Sequence, residues 1–256
     1  MKSTMDLPFA VFALSMAAMW FSTQIGVFFR KRILPQKEGE EKDFNLVIPA
    51  TLTLLGLIIG FSFSMVSGRY DQRKNYEDEE ANAIGTEYAR ADLLPDSDAG
   101  KVRELLKRYL DHRILFYQTR DEHQLAQINA QTARLQGELW SVMKAAAAKQ
   151  PTYPVGLAVS GMNEVINSQG YTQAAWWYRL PVEARVFMAA IAIFNSWLIG
   201  YSSHQRGMIW FPVLPLAVSI SFFLIADIDS PRHGLIRVVP QNLMSVSESF
   251  QAQYGS

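Results

Sequence analysis

Residues 46–68 run for 23 positions without a charge, and at Arg69 the composition turns charged with no helix breaker before Pro95. From Leu55 the stretch reads LGLIIGFSFSMVSGRYDQRKNYEDEEANAIGTEYARADLL, with Gly85 its one weak point. An apolar run of 18 or more residues is long enough to cross a bilayer. The pattern predicts one helix over Leu46–Leu94 that leaves the bilayer and continues into water. At about 1.5 Å per residue it is roughly 70 Å long, more than twice the ~30 Å hydrocarbon core.

Two stripes mark its membrane part. Gly56, Gly60, Ser64 and Gly68 recur every four residues, and small residues at that spacing let a second helix approach closely. Thr53, Leu57 and Phe61 form a neighbouring stripe, rotated by about 100°. A close-packing face beside a bulky apolar face suits the wall of a constricted pore. It also suits plain bundle packing, which most such stripes serve.

Three further segments carry almost no charge: Leu7–Phe29, Val186–Ser203 and Gly207–Ala226. The first stops at Arg30-Lys31-Arg32 and lacks a small-residue cleavage site, so it reads as an anchor and not a removed signal peptide. The fold class predicted is an all-α membrane protein with four transmembrane helices and a helical soluble domain between spans two and three. The boundaries are 7–68 for spans one and two, 69–180 for the soluble domain, 181–229 for spans three and four, and 230–256 for a tail. Sidedness is contested. Arg30-Lys31-Arg32 favours the cytoplasm for its loop, which puts the termini and the inserted domain outside, whereas Arg69, Arg73 and Lys74 pull the other way. The balance leans slightly to the outside.

In the soluble part, Pro95 breaks the chain and Ser97 or Asp98 caps a helix to about Arg120. Asp121 starts another to about Lys149, and Val155 to about Ser168 makes a shorter one with Gln169-Gly170 as its exit. Arg69 and Arg73 share a helix face, and Arg73 and Glu77 are spaced to pair. The acidic run Glu77-Asp78-Glu79-Glu80 is a solvated face or part of an ion path. Trp176, Trp177 and Tyr178, with Arg179 and Arg185 nearby, resemble an interfacial belt before span three. Mid-span, Asn195 hydrogen-bonds a neighbouring helix or faces a water path. Asp227 and Asp229 close span four, either at a Pro-induced stop or with Asp227 paired to Arg232. The weakly amphipathic tail Pro240–Phe250 can pack on the soluble helices.

Other chemistries find no support. Lys and Arg together number 24, as do Asp and Glu, so no electrostatic footprint for nucleic acid exists. With no cysteine there are no disulfides or thiolate metal sites. His112, His123, His204 and His233 show no ligand spacing, and neither a nucleophile elbow nor a phosphate-binding glycine loop appears. No enzyme, metal or cofactor is expected.

GFSFSMVSGRYDQR resembles the end of the second transmembrane helix of bestrophins. Together with Arg69-Tyr70-Asp71, Glu79-Glu80-Ala81-Asn82-Ala83-Ile84, Arg179-Leu180-Pro181 and the run from Asp227 to Gly234, it makes the chain resemble the bacterial bestrophin-like domain family. That resemblance implies a multi-pass protein of the bacterial inner membrane, assembled as a homo-oligomer, a pentamer in the bestrophin manner, passing inorganic ions. It implies that Thr53, Leu57 and Phe61 line the neck of the pore. Arg69, Arg73, Glu80, Asn195, Asp227 and Asp229 are candidates for an ion path or for ion pairing. In bestrophins an acidic segment after span four binds calcium in some members, but here Leu235-Ile236-Arg237 replaces the later acids. The rival expectation is a non-conducting membrane scaffold or sensor that binds a partner through its helical domain.

Overall fold

The computed structural model of the chain describes residues 7–32, 40–202 and 212–254. All regular structure among them is helical: α1 (Pro8–Arg32), α2 (Glu40–Arg90), α3 (Asp96–Gln118), α4 (Glu122–Lys149), α5 (Tyr153–Trp177), α6 (Val182–Ser202), α7 (Val213–Asp229) and α8 (Gln241–Tyr254). Three stretches are long and apolar enough to cross a membrane: Pro8–Arg32, Leu46–Leu93 and Tyr153–Ser202. The start of the fourth apolar segment, with residues 203–211, lies outside the described residues.

The 51 residues of α2 amount to about 77 Å of helix. It begins at Glu40, earlier than expected, so Pro49 lies inside the helix rather than in its first turn. A proline there removes one ladder hydrogen bond. Nearby, the Thr53 hydroxyl donates to the Pro49 carbonyl at 2.8 Å. After Arg90 the chain tightens into a 3₁₀ turn, Ala91–Leu93. Leu94 is extended, with φ −89° and ψ 159°, as the residue before Pro95 must be.

The chain divides into two compact units, Met1–Arg69 with Arg179–Ile236, and Tyr70–Tyr178 with Arg237–Ser256. In the first, α1 runs parallel to α6 and antiparallel to α7. Ser22 donates to the Ile193 carbonyl at 2.8 Å, and Arg30 donates to that of Ser202 at 2.8 Å. Ser15 meets Ser219 at 3.1 Å, and Phe9 packs on Phe223. The α1–α6 crossing depends on two glycines. A Cβ on Gly26 would lie 2.3 Å from the Trp197 carbonyl oxygen, and one on Gly200 would lie 2.1 Å from that of Thr23. Ser22 and Gly26 on α1, and Ala192, Ser196 and Gly200 on α6, are buried small residues at four-residue spacing, the pattern that permits close helix approach.

In the second unit, α3, α4, α5, α8 and the charged part of α2 surround one apolar core that includes Leu106, Tyr109, Leu135, Leu139, Met143 and Met162. Several sequence expectations change here. Asp121 does cap α4, accepting from the Gln124 N–H at 2.8 Å, but α3 starts at Asp96 behind Pro95. Asp98 pairs with Lys149 at 3.1 Å. Helix α5 runs through Gly170 to Trp177, because Val165, Thr172, Ala175 and Trp176 continue its buried stripe. Trp176 is core, packed on the rings of Phe116 and Tyr117. Only Trp177 and Tyr178 are exposed. The tail becomes α8, whose Leu243 and Phe250 are buried and whose Phe250 ring stacks on Tyr88.

Candidate pore helix and its charged continuation

In the first unit, the membrane part of α2 offers two open surfaces. A Cβ at Gly56, Gly60 or Gly68 would meet nothing within 4 Å. Ser64 is exposed. Thr53, Leu57 and Phe61 are all exposed, Leu57 at 53% and Phe61 at 65%. The face turned into the unit is instead Leu55, Ser62 and Val66. On that side Thr51 donates to the Asn195 side-chain oxygen at 2.6 Å, while the Asn195 amide donates to the Ile191 carbonyl at 3.0 Å. Asn195 is fully buried, so it serves as an interhelical bond in this chain.

Asp227 and Asp229 are both buried and both bound by backbone. Asp227 accepts the Leu235 and Ile236 N–H groups at 2.7 and 2.8 Å. This folds the chain back over the end of α7, with the Gly234 N–H donating to the Ser230 carbonyl at 2.9 Å. A Cβ on Gly234 would sit 2.2 Å from the Asp227 carbonyl oxygen, so the turn requires glycine. Asp229 accepts the Leu180 N–H on both oxygens, at 2.9 and 3.0 Å, and has Arg69 at 3.8 Å. Arg179 donates to the Asp229 carbonyl. Among the described residues, no group of three or more His, Asp or Glu could hold a metal ion.

In the second unit, charged side chains occupy the core face of α2. Arg73, Glu77, Glu80 and Glu87 are each 1% exposed or less. They fall at alternating spacings of four and three with Ile84 and Ala91, the repeat of a buried helix seam. Of the acidic run, Asp78 and Glu79 are exposed and Glu77 and Glu80 are not. Glu80 is gripped by Arg113, whose Nε and Nη2 both reach it. The Tyr117 and Thr172 hydroxyls donate to Oε2, which Nη2 also reaches, at 3.2 Å each. Burial alone would lower the pKa of Arg113, but the Glu80 carboxylate outweighs it and holds the guanidinium charged above its ordinary range. Burial, then Glu80, raises the Tyr117 hydroxyl, so it stays a donor.

Glu77 accepts the Leu243 N–H at 3.0 Å and the Asn242 amide at 2.7 Å. It thereby caps the first turn of α8, a role that its spacing from Arg73 did not point to. Burial still leaves its pKa raised. Neither oxygen of Glu87 has a hydrogen-bond partner among the described residues. Burial pushes its carboxyl up to about 8, with Arg90 opposing and Glu164 adding to the rise. Gly161 leaves the room it occupies, since a Cβ there would lie 2.0 Å from Glu87 Oε2.

Sequence reasoning missed Arg113, Tyr117 and Thr172 as partners of Glu80. It missed the Gly26–Gly200 crossing too, though the four-residue spacing of small residues on α1 and α6 signals it.

Residues 10–243 match the bestrophin-like domain family. The solved structure of a bacterial bestrophin homologue from Klebsiella pneumoniae is similar at a TM-score of 0.67 with 12% identity, covering 96% of this chain and 98% of its own. A variant of that homologue gives a TM-score of 0.66 with 14% identity, at the same two coverages. At these identities the likeness is one of fold. No curated protein matches. A family match over nearly the whole length, on the all-helical architecture of a solved bestrophin homologue, leads to one assignment: the chain belongs to the bestrophin-like domain family.

Proposed function

We propose that the chain assembles as a homo-oligomeric ion channel, with the membrane part of α2 lining the pore. The observation that carries this reading is the bare flank of α2. Leu57 and Phe61 stand exposed beside a glycine ridge with empty space over it, whereas Gly26 on α1 and Gly200 on α6 are tightly packed. In an oligomer the ridge takes a neighbouring helix, and Thr53, Leu57 and Phe61 converge on the axis. An apolar ring of that kind gates by resisting wetting. Four spans and an inserted helical domain in a bacterial inner membrane complete the proposal. Its fourth span is α7, whose 17 residues give about 25 Å of helix.

Charges place limits on the ion path. Glu80 is enclosed by Arg113, Tyr117 and Thr172, so it serves the architecture of the helical unit. Arg69 is part-exposed at the end of the membrane stretch and is the better candidate to meet ions leaving the neck.

Liposome flux tests the reading. Leu57→Ala with Phe61→Ala should raise ion flux, because it removes the apolar barrier. It should leave the chain's own thermal stability nearly unchanged, because both side chains are exposed. Undetectable flux of monovalent anions and cations in both proteins would favour the scaffold or sensor instead.

A further inference from the structure

The first unit contains a cavity of about 530 Å³ between α1, α6 and α7, within the ~300–1,000 Å³ typical of small-ligand clefts. Its body is apolar, formed by residues such as Ala18, Met19, Ala189 and Phe222. Among the described residues its charged lining is Arg179, Arg185 and Asp229, at the start of α6 and the end of α7. Leu14 and Ile193 also line it and are 60% and 41% exposed, so the cavity opens sideways on the outer flank of apolar helices. On a helix at bilayer depth that flank meets acyl chains, not water.

The charged end is biased toward an anion. The Asp229 carboxylate is already committed to the Leu180 N–H, with Arg69 at 3.8 Å. Arg179 is oriented by donation to the Asp229 carbonyl and Ser230. Among the described lining residues, two guanidinium groups stand beside one carboxylate that already accepts a backbone N–H. Guanidinium presents a planar fork of donors that matches phosphate. An apolar slot open to lipid, ending in two arginines, has the polarity of one amphiphile: acyl chain inward, acidic headgroup at the rim.

We infer that this cavity is a binding site for an anionic phospholipid, with an acyl chain between α1, α6 and α7 and the phosphate at Arg179 and Arg185. The site lies away from the open flank of α2 and exists whether or not the protein conducts.

Native mass spectrometry of the full chain in mild detergent, titrated with phosphatidylglycerol or phosphatidylcholine, tests it. Wild type should retain phosphatidylglycerol about tenfold more tightly, the worth of one charge-assisted contact. Arg185→Gln should bring phosphatidylglycerol down to the phosphatidylcholine level, and Ala189→Phe, which fills the slot, should remove adducts of both. Should Ala189→Phe fail to fold, Arg185→Gln decides by itself. Equal retention of the two lipids by wild type would overturn the inference. So would the absence of adducts, which is the outcome if a neighbouring copy covers the cavity. A phosphatidylglycerol preference that survives in folded Ala189→Phe or in Arg185→Gln would place the lipid elsewhere and overturn it as well.

Discussion

The two parts of α2 invert the usual rule of a water-soluble helix. Before Arg69, Leu57, Phe61 and Phe63 are exposed; after it, Arg73, Glu77, Glu80 and Glu87 are buried. An exposed apolar side chain loses its penalty wherever lipid or another apolar surface covers it, since acyl tails are as apolar as leucine. The buried charges are tolerable only where bonds replace water. Glu80 has Arg113, Tyr117 and Thr172, and Glu77 has the start of α8. Glu87 has no hydrogen bond to either oxygen among the described residues, and it is the group whose pKa moves to about 8. Position along one continuous helix, rather than residue polarity, decides which side chains face inward.

The charged part should fail first when a partner is removed. Arg113→Met leaves the Glu80 carboxylate buried without its cation, a loss of about 3–5 kcal/mol readable as a lowered unfolding midpoint in detergent. The double change Arg113→Met with Glu80→Leu should recover much of it. If the double variant is no better than the single one, pairing is not what holds Glu80 inside.

A matched pair of truncations sharpens the contrast. Ile84 is fully buried on the charged part, so Ile84→Ala should cost about 2–5 kcal/mol. Leu57→Ala, at an exposed site, should stay within about 0.5 kcal/mol for the chain's own fold. Glycines divide in the same way. Gly200→Ala drives a Cβ into the Thr23 carbonyl and should cost about 1–3 kcal/mol. Gly60→Ala should leave the unfolding midpoint of the isolated chain in place.

A further effect concerns pH. A carboxyl whose folded pKa is raised from 4.5 to about 8 keeps its proton in the folded chain while the unfolded chain has lost it. Its contribution therefore favours the fold most below pH 4.5 and is lost as pH rises toward 8, with no further change above. The slope approaches ~1.4 kcal/mol per pH unit at most. Glu87→Gln should flatten that part of the stability profile between pH 5 and 8. An unchanged slope would mean that Glu87 finds a partner in solution.

The helical class and the long second helix were legible because 23 uncharged residues followed by an unbroken charged run admit few alternatives. The core face of the charged part was not, because Arg73, Glu77, Glu80 and Glu87 occupy seam positions that apolar periodicity cannot mark. Arg113, Tyr117 and Thr172 come from helices 33 to 92 residues away in sequence, beyond the reach of any local pattern. Trp176 was misread as an interfacial aromatic, since proximity to an apolar segment looks the same whether the ring enters a core or a membrane surface. The four-residue stripe on α2 was visible, but its vacancy was not. Only the fold distinguishes a glycine ridge already filled, at Gly26 and Gly200, from one left open at Gly56, Gly60 and Gly68.

Whether that open flank faces other copies of the chain can be measured by cross-linking. The native chain has no cysteine, so Phe61→Cys and Phe9→Cys each carry a single thiol in liposomes. Both native side chains are about equally exposed, at 65% and 66%. If α2 lines a shared axis, mild oxidation converts Phe61→Cys to disulfide-linked dimers and leaves Phe9→Cys, exposed on α1 beside Phe223, as monomer. Efficient cross-linking of Phe9→Cys with none for Phe61→Cys would contradict the pore assignment of α2.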